Sequence, residues 1–238
     1  MHPLDGAYIR VDRAEEHLTN LNESIMAFIN REYERTRAVR SLDPQPPPMG
    51  FHRVDSPIPL MFSVLVGEAI YNLRAALDYF VYELAALDSG TPQKGTQFPI
   101  ESTLEGFRGR CKPKGFLGGI SPAHTTDIER LQPYNGVEWT KQLAAISNPD
   151  KHRHLTVLSH ARSLGTTKSP DPAEAAITAD DVGVIFVYAV PMPDGTNMNM
   201  KFHFTFFITF EDGLPVIDTL EKIKLKVADT LADFKAKF

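Results

Sequence analysis

The chain has 238 residues, a formal net charge of −5 at pH 7 and 42% hydrophobic residues, which is the composition of an ordinary globular protein and not of a disordered or fibrous one. The acidic balance argues against a general polyanion binder, and the one cysteine, Cys111, excludes an internal disulfide framework and a cysteine-based zinc cluster. Because no run of about 18 consecutive apolar residues occurs and the N-terminus lacks the pattern of a secretory signal, we expect a cytoplasmic protein with no membrane partner.

The first predicted element is a long N-terminal helix. Apolar residues recur every three or four positions from Tyr8 to Phe28, which is the spacing of one stripe of an amphipathic helix. The helix should run to about Ser41, because the proline-rich stretch 43–59 cannot continue it. We expect that stretch to form a stiff, extended connector.

The strongest helical pattern follows, from Leu60 to about Leu87. This segment is apolar nearly all the way round, as is typical of the central buried helix of a bundle. One sector of the helix nevertheless carries polar side chains, namely Glu68, Asn72, Arg74 and Asp78. Since buried charges are costly unless they are paired, this sector is either a structural network, a face turned to solvent, or the wall of a substrate-binding pocket.

Three shorter helices are predicted next. Ser102 followed by Glu105 has the spacing of a capping box, and Ser121-Pro122 favours a second start, with an end near Gln132-Pro133. A third helix should span about residues 137–147. Between the first two lie cations at alternate positions, namely Arg108, Arg110, Lys112 and Lys114. They form either a solvated loop or a contact with a nucleic-acid backbone.

A new helix is predicted to begin at Asn148, with Asn148 as its N-cap and Pro149 in its first turn, and to continue to about Arg162. Its first turns carry Lys151, His152, Arg153 and His154. Basic side chains at a helix N-terminus oppose the helix dipole, so we expect a carboxylate of the central helix or a phosphate beside them. No metal site is predicted, because His152 and His154 point to different faces of that helix.

The last third changes from helix to strand and back. Residues 182–190 and 202–210 alternate apolar and polar residues around a Pro-Asp-Gly turn, which predicts a β-hairpin, and an amphipathic helix should follow from Val216 to Phe238. A lone hairpin rich in phenylalanine needs a cover, so we expect it to pack on the helices or on a partner. A homodimer that uses the hairpin or a terminal helix follows from this pattern.

These elements predict a mainly α fold, a helical bundle with an appended β-hairpin and C-terminal helix. The expected domains are a helical bundle over 1–165, a linker over 166–181, and the hairpin with the last helix over 182–238, packed on the bundle or on a partner.

Two segments carry a resemblance, NLRAALDYFVYELA at 72–85 and NPDKHRHL at 148–155. They resemble an uncharacterised family of bacterial, largely actinobacterial, helical proteins, and more loosely the HEPN superfamily of small all-α domains. The resemblance implies RNA or a nucleotide as the partner and no cofactor. It also implies, in the catalytic members, a metal-independent endoribonuclease of a toxin or defence type.

The HEPN signature is an arginine, a polar residue and then a histidine, with four to six residues between the arginine and the histidine. Arg153, His154 and His160 fit it, and Arg10 and His17 have the same spacing. The resemblance implies that Arg153 stabilises charge at phosphorus and that His152 or His160 is the general acid or base. The substrate-binding residues would be Asn72, Arg74, Asp78, Asn148 and Lys151. The alternative is a non-catalytic dimeric interaction or scaffold protein in which the polar residues form a structural network.

Overall fold

A computed structural model describes residues 2–40, 58–91, 93–150, 158–168, 183–191, 197–210 and 212–238 of the chain. Side chains are described for 2–31, 58–91, 93–147, 208–210 and 212–238. The chain forms two compact units. The first comprises Met1–Leu21, Ser63–Leu155 and Ile217–Phe238, and the second comprises Asn22–Phe62 and Thr156–Val216.

The two long helices form as their periodicity predicts. Helix α1 spans Asp5–Arg40 and helix α2 spans Leu60–Ser89. In the first unit α1 buries a stripe that includes Ala14 and Leu18, while α2 buries one almost continuous face. The core residues that α2 contributes here are Val66, Ala69, Ile70, Leu73, Ala76, Leu77, Phe80, Val81, Leu84 and Ala85.

Two short helices begin at side-chain caps. Helix α3 spans Leu104–Arg110, and its cap is Thr103, whose Oγ1 accepts a hydrogen bond from Gly106 N at 3.1 Å. The predicted cap, Ser102, is therefore wrong by one residue. Helix α4 spans Pro122–Glu129, and Ser121 caps it as predicted, with Oγ accepting from His124 N at 3.3 Å. A 3₁₀ turn over Pro133–Asn135 follows.

The predicted break at Asn148 is wrong. Helix α5 spans Glu138–Asp150 as one element, so Asn148 and Pro149 lie in its last turn and do not begin a new helix. Pro149 has no N–H to donate to the backbone oxygen of Ala145, and the helix ends one residue later. The side chain of Asn148 and the whole of residues 151–157 lie outside the described residues.

The strands extend the predicted hairpin. Strands β1 (Leu158–Lys168), β2 (Gly183–Pro191) and β3 (Asn197–Thr209) form an antiparallel sheet in the order β1-β3-β2. The pair β2–β3 is the predicted hairpin. Strand β1 contradicts the predicted helix to Arg162, because residues 158–162 pair with β3, and it includes residues 166–168 of the predicted linker.

His160 therefore stands on a strand and not inside a helix, opposite Phe207 in the register of β1 and β3. Its side chain and those of the phenylalanines at 202–207 lie outside the described side chains. The predicted homodimer through the phenylalanine-rich hairpin or a terminal helix stays a prediction.

In the second unit, Phe28 of α1 and Phe62 of α2 meet edge to face with ring centroids 5.9 Å apart, and Phe210 is buried after β3. Helix α6 spans Val216–Lys235, as its apolar stripe predicts. From Ile217 onward it belongs to the first unit, where Phe234 meets Phe80 of α2 at 4.7 Å between ring centroids.

The protein is mainly α-helical, as predicted. Within the described residues, α2 is long and apolar enough to cross a membrane by length and composition, and half of its most apolar stretch is buried inside the protein. The core helix of a bundle in a soluble protein has the same properties. The expectation of a cytoplasmic protein with no membrane partner stays a prediction.

Candidate functional site

A row of polar side chains joins α1 to α2 in the first unit. Arg10 Nη1 donates to Asn72 Oδ1 at 3.2 Å, and Arg10 Nη2 donates to Tyr79 Oη at 3.1 Å. Two turns further along α1, His17 Nδ1 lies 3.1 Å from Glu68 Oε2. We call these four residues, Arg10, His17, Glu68 and Asn72, the α1–α2 polar row.

The row follows from helical spacing. Arg10 and His17 are seven residues apart and Glu68 and Asn72 are four apart, so each pair lies on one face of its helix. The contacts run antiparallel, since the earlier residue of α1 meets the later one of α2. Val11 stands where the HEPN signature has a polar residue, and the structure gives the reason, because Val11 is a buried residue of the α1 stripe.

His17 and Glu68 form an unequal pair. The side chain of His17 is 12% exposed and that of Glu68 is 50% exposed. Nδ1 of His17 is buried, and although the carboxylate is close, no atom has hydrogen-bond geometry toward this nitrogen. Asn72 is held differently, because its Nδ2 donates to the backbone oxygen of Glu68 at 2.9 Å. The Glu68 carboxylate therefore remains open to solvent beside a mostly buried imidazole.

Exposed tyrosines surround the row. Tyr71 is 64% exposed, and Tyr79 and Tyr82 are each about 40% exposed on the same side of α2. The Arg10 guanidinium lies 6.0 Å from the ring centroid of Tyr71 and 5.2 Å from that of Tyr79. The hydrogen bond to Tyr79 raises the pKa of Arg10 above its ordinary value, so the guanidinium stays charged. The result is a cation on an aromatic, solvent-facing surface.

Arg74 and Asp78 occupy the opposite flank of the same polar sector. Arg74 Nη2 donates to the backbone oxygen of Phe98 at 3.1 Å, and Phe98 N donates to Asp78 Oδ1 at 2.8 Å. Arg74 Nη2 and Asp78 Oδ1 are 3.9 Å apart. Burial lowers the pKa of Arg74, and the charge of Asp78 acts in the other direction. The two side chains clamp an extended segment onto α2, and their predicted role in substrate binding stays a prediction.

The remaining predicted site residues are described by their backbone alone or lie outside the described residues. Asn148 is placed by its backbone at the end of α5, and His160 by its backbone on β1. Lys151, His152 and Arg153 lie outside the described residues. The predicted approach of His152 or Arg153 to Glu68, Asn72 or Asp78 thus stays a prediction.

A second histidine–carboxylate pair was not predicted. Asp88, at the end of α2, accepts from Ser121 N at 2.8 Å, and His124 Nδ1 lies 2.9 Å from both of its carboxylate oxygens. Burial alone would raise the pKa of Asp88, but the hydrogen bonds from Ser121 and His124 hold it below its ordinary value. This cluster ties the start of α4 to the end of α2.

Sequence spacing could identify only part of these contacts. The Arg10–His17 spacing is visible in the sequence, but its partners on α2 depend on the register of two helices about 60 residues apart. Nothing in the sequence marks Phe98 as the partner of Arg74 and Asp78, because both contacts are made by the backbone oxygen and nitrogen of Phe98. Within the described residues, no group of three or more His, Cys, Asp or Glu side chains could hold a metal ion.

Comparisons with protein-family models, curated proteins and solved structures found no match to the chain.

Proposed function

We propose that the protein is an RNA- or nucleotide-directed protein of the HEPN type, a metal-independent endoribonuclease whose phosphate-binding centre is the α1–α2 polar row. The observation that supports this proposal is the contact of Arg10 and His17, which have the spacing of the HEPN signature, with Asn72 and Glu68. The resemblance of residues 72–85 to that superfamily includes Asn72 itself.

Arg10 supplies the positive charge. A guanidinium has five N–H donors, and the contacts to Asn72 and Tyr79 use one on each terminal nitrogen. The other donors remain for phosphate oxygens, which a guanidinium binds in bidentate fashion. Asn72 and Tyr79 fix the direction of the side chain, so the charge is in place before negative charge develops on the phosphate oxygens.

His17 supplies the proton transfer. In metal-independent cleavage the 2′-hydroxyl loses its proton and attacks phosphorus, the bond to the 5′-oxygen breaks, and that oxygen takes up a proton to leave a 2′,3′-cyclic phosphate. Histidine is suited to both transfers near neutral pH. Because Nδ1 is buried against Glu68, Nε2 is the nitrogen that would face the substrate. The Glu68 carboxylate would stabilise the imidazolium between the two transfers.

The test compares matched variants on an unstructured RNA in the presence of a chelator. General acid–base catalysis contributes about 10²–10⁴ in rate, so His17→Gln should lower the cleavage rate by at least about 100-fold. Arg10→Gln should do the same, whereas Arg13→Gln should not, since Arg13 pairs with Glu16 on the exposed side of α1. Wild-type protein that leaves RNA intact, or activity that the chelator removes, would contradict the proposal.

The same assay separates the two pairs that have the arginine-to-histidine spacing of the signature. If Arg153→Gln and His160→Gln, together with His152→Gln, remove cleavage while Arg10→Gln and His17→Gln do not, the catalytic residues are those of 152–160. We expect the reverse result, because Arg10 and His17 meet Asn72 and Glu68 on the polar sector of α2.

A non-catalytic dimeric scaffold is the second candidate. The contacts of Arg74 and Asp78 with the backbone of Phe98 favour it. In those contacts Arg74 and Asp78 hold backbone groups of Phe98, which supports a structural role for this part of the sector. An inert protein that light scattering shows to be a dimer would support the scaffold.

A further inference from the structure

A short basic segment in the first unit lacks the carboxylate partners that other cations of the protein have. Arg108 is near the end of α3, and Lys112 and Lys114 lie in the loop after it, all three exposed. Within the described residues none of the three is within ion-pair distance of a carboxylate. We call these three residues and the chain between them the basic turn.

Most other cations of this unit with described side chains are paired. Arg110, inside the basic turn, pairs with Glu101 at 2.6 Å and stacks over Phe116, with 4.3 Å from its guanidinium carbon to the ring centroid. Lys237 pairs with Asp127 at 2.5 Å, and Lys226 pairs with Asp229 at 3.3 Å. Three unpaired cations side by side repel one another, which is unusual in a chain with a net charge of −5.

The backbone holds these cations in place. Leu117 N donates to Arg110 O at 3.0 Å and Gly115 N donates to Lys112 O at 2.7 Å, which winds the loop tightly. A Cβ at Gly115 would lie 2.3 Å from Arg110 O, so this close approach requires glycine. A loop fixed in this way has little backbone conformational entropy left to lose on binding.

The basic turn lies on one side of the exposed tyrosines of α2. Phe116 O accepts from Gln97 N at 3.2 Å, and the next residue, Phe98, is clamped to Arg74 and Asp78 of α2. Arg10 contacts the other flank of α2, through Asn72 and Tyr79. At about 100° per residue, Tyr71 and Tyr82 lie between these flanks.

We infer that the basic turn binds backbone phosphates of the RNA, so that the substrate is a single strand that crosses α2 from the α1–α2 polar row to the basic turn. This inference rests on the proposed function, because it extends the same site. Aromatic rings that alternate with cations are the surface that single strands favour, since bases stack on the rings while phosphates meet the charges. The bases would stack on Tyr71 and Tyr82.

The test measures binding of the full chain to an unstructured RNA of about 12 nucleotides, a length that single-strand sites cover, over a range of salt concentrations. For single strands the affinity falls with salt by a slope of about 0.7 per neutralised phosphate contact. Lys112→Gln with Lys114→Gln should therefore reduce the slope by about 1.4 and weaken binding by about 25-fold at 0.1 M salt.

The matched control is Lys222→Gln with Lys226→Gln, which removes the same charge from exposed positions of α6 and should leave the slope unchanged. If the wild type binds RNA, Arg10→Gln weakens binding and the basic-turn variant keeps the wild-type slope, the inference is wrong and the proposed function stands. If the basic-turn variant loses slope while Arg10→Gln binds as the wild type does, the RNA meets the basic turn but not the α1–α2 polar row. Wild-type protein that does not bind RNA overturns both.

Discussion

The described part of the first unit contains two histidine–carboxylate pairs with nearly equal distances, yet the carboxylates are held in different ways. Asp88 is 10% exposed, accepts from Ser121 N and has His124 Nδ1 at 2.9 Å from both oxygens. Glu68 is half exposed, and its neighbour His17 has a buried Nδ1 without a hydrogen bond. A buried carboxylate with all its partners contributes to stability, whereas an open one leaves capacity for a ligand.

The location of each pair supports this difference. The Asp88–His124 pair joins the end of α2 to the first turn of α4, where an unpaired backbone donor must be satisfied. The His17–Glu68 pair lies on a surface with exposed tyrosines and with the Arg10 guanidinium, which has more N–H donors than its contacts to Asn72 and Tyr79 use. Proximity of a histidine to a carboxylate therefore does not separate a structural pair from a candidate site, whereas the other partners of the carboxylate differ between the two pairs.

The largest stability effect should come from Asp88. Asp88→Asn removes the charge that faces His124 and weakens the cap on Ser121 N, both in a mostly buried place. We expect the free energy of unfolding to fall by about 3 kcal/mol, measured by urea denaturation. Glu68→Gln is the matched change in the exposed pair and should cost no more than about 1 kcal/mol. Equal losses of unfolding free energy in Asp88→Asn and Glu68→Gln would contradict the view that the Asp88 pair stabilises the fold more than the Glu68 pair does.

A smaller loss in the free energy of unfolding should follow from breaking the contact of Asp78 with the backbone of Phe98. Asp78→Ala leaves Phe98 N without its acceptor and the buried Arg74 without its opposite charge. The expected loss is about 2 kcal/mol in the free energy of unfolding. RNA cleavage should persist in the folded fraction. Loss of cleavage in a fully folded variant would instead restore Asp78 as a substrate-binding residue.

The pH dependence of stability should report the contacts of Asp88, with a smaller effect. The pKa of Asp88 in the folded protein is below its ordinary value, so its stabilisation is complete above the unfolded pKa of about 3.9 and is lost as pH falls through the folded value. Wild-type stability should therefore fall more steeply below about pH 4 than that of Asp88→Asn. The free energy of unfolding is measured by urea denaturation at each pH. The same dependence on pH in the wild type and in Asp88→Asn would contradict this prediction.

Local patterns predicted the helices better than the strands. The stripes of α1, α2 and α6 are readable because each helix buries one continuous face. Strand β1 was missed because LSHARSLGTTK has no alternation of apolar residues, and its pairing with β3 is a tertiary contact. The predicted break at Asn148 is wrong because an Asn-Pro pair is typical of a helix start, whereas here it lies in the last turn of α5.

For the candidate site, the sequence identifies residue types but not partners. The spacing of Arg10 and His17 and the polar sector of α2 are both visible, yet nothing in the sequence assigns Asn72 to Arg10 and Arg74 to a backbone carbonyl. Those assignments depend on where α1 and the segment around Phe98 pack against α2. The partners decide which polar residues are structural, so the division of this sector required the structure.

The most direct measurement is the RNA cleavage rate of His17→Gln and His124→Gln in the same chelator-containing buffer, each with its melting temperature. We expect His17→Gln to cleave at least about 100-fold more slowly than the wild type at an almost unchanged melting temperature. His124→Gln should melt several degrees lower and cleave at the wild-type rate while folded. A His17→Gln protein that cleaves as fast as the wild type would contradict the assignment of the α1–α2 polar row as the functional site.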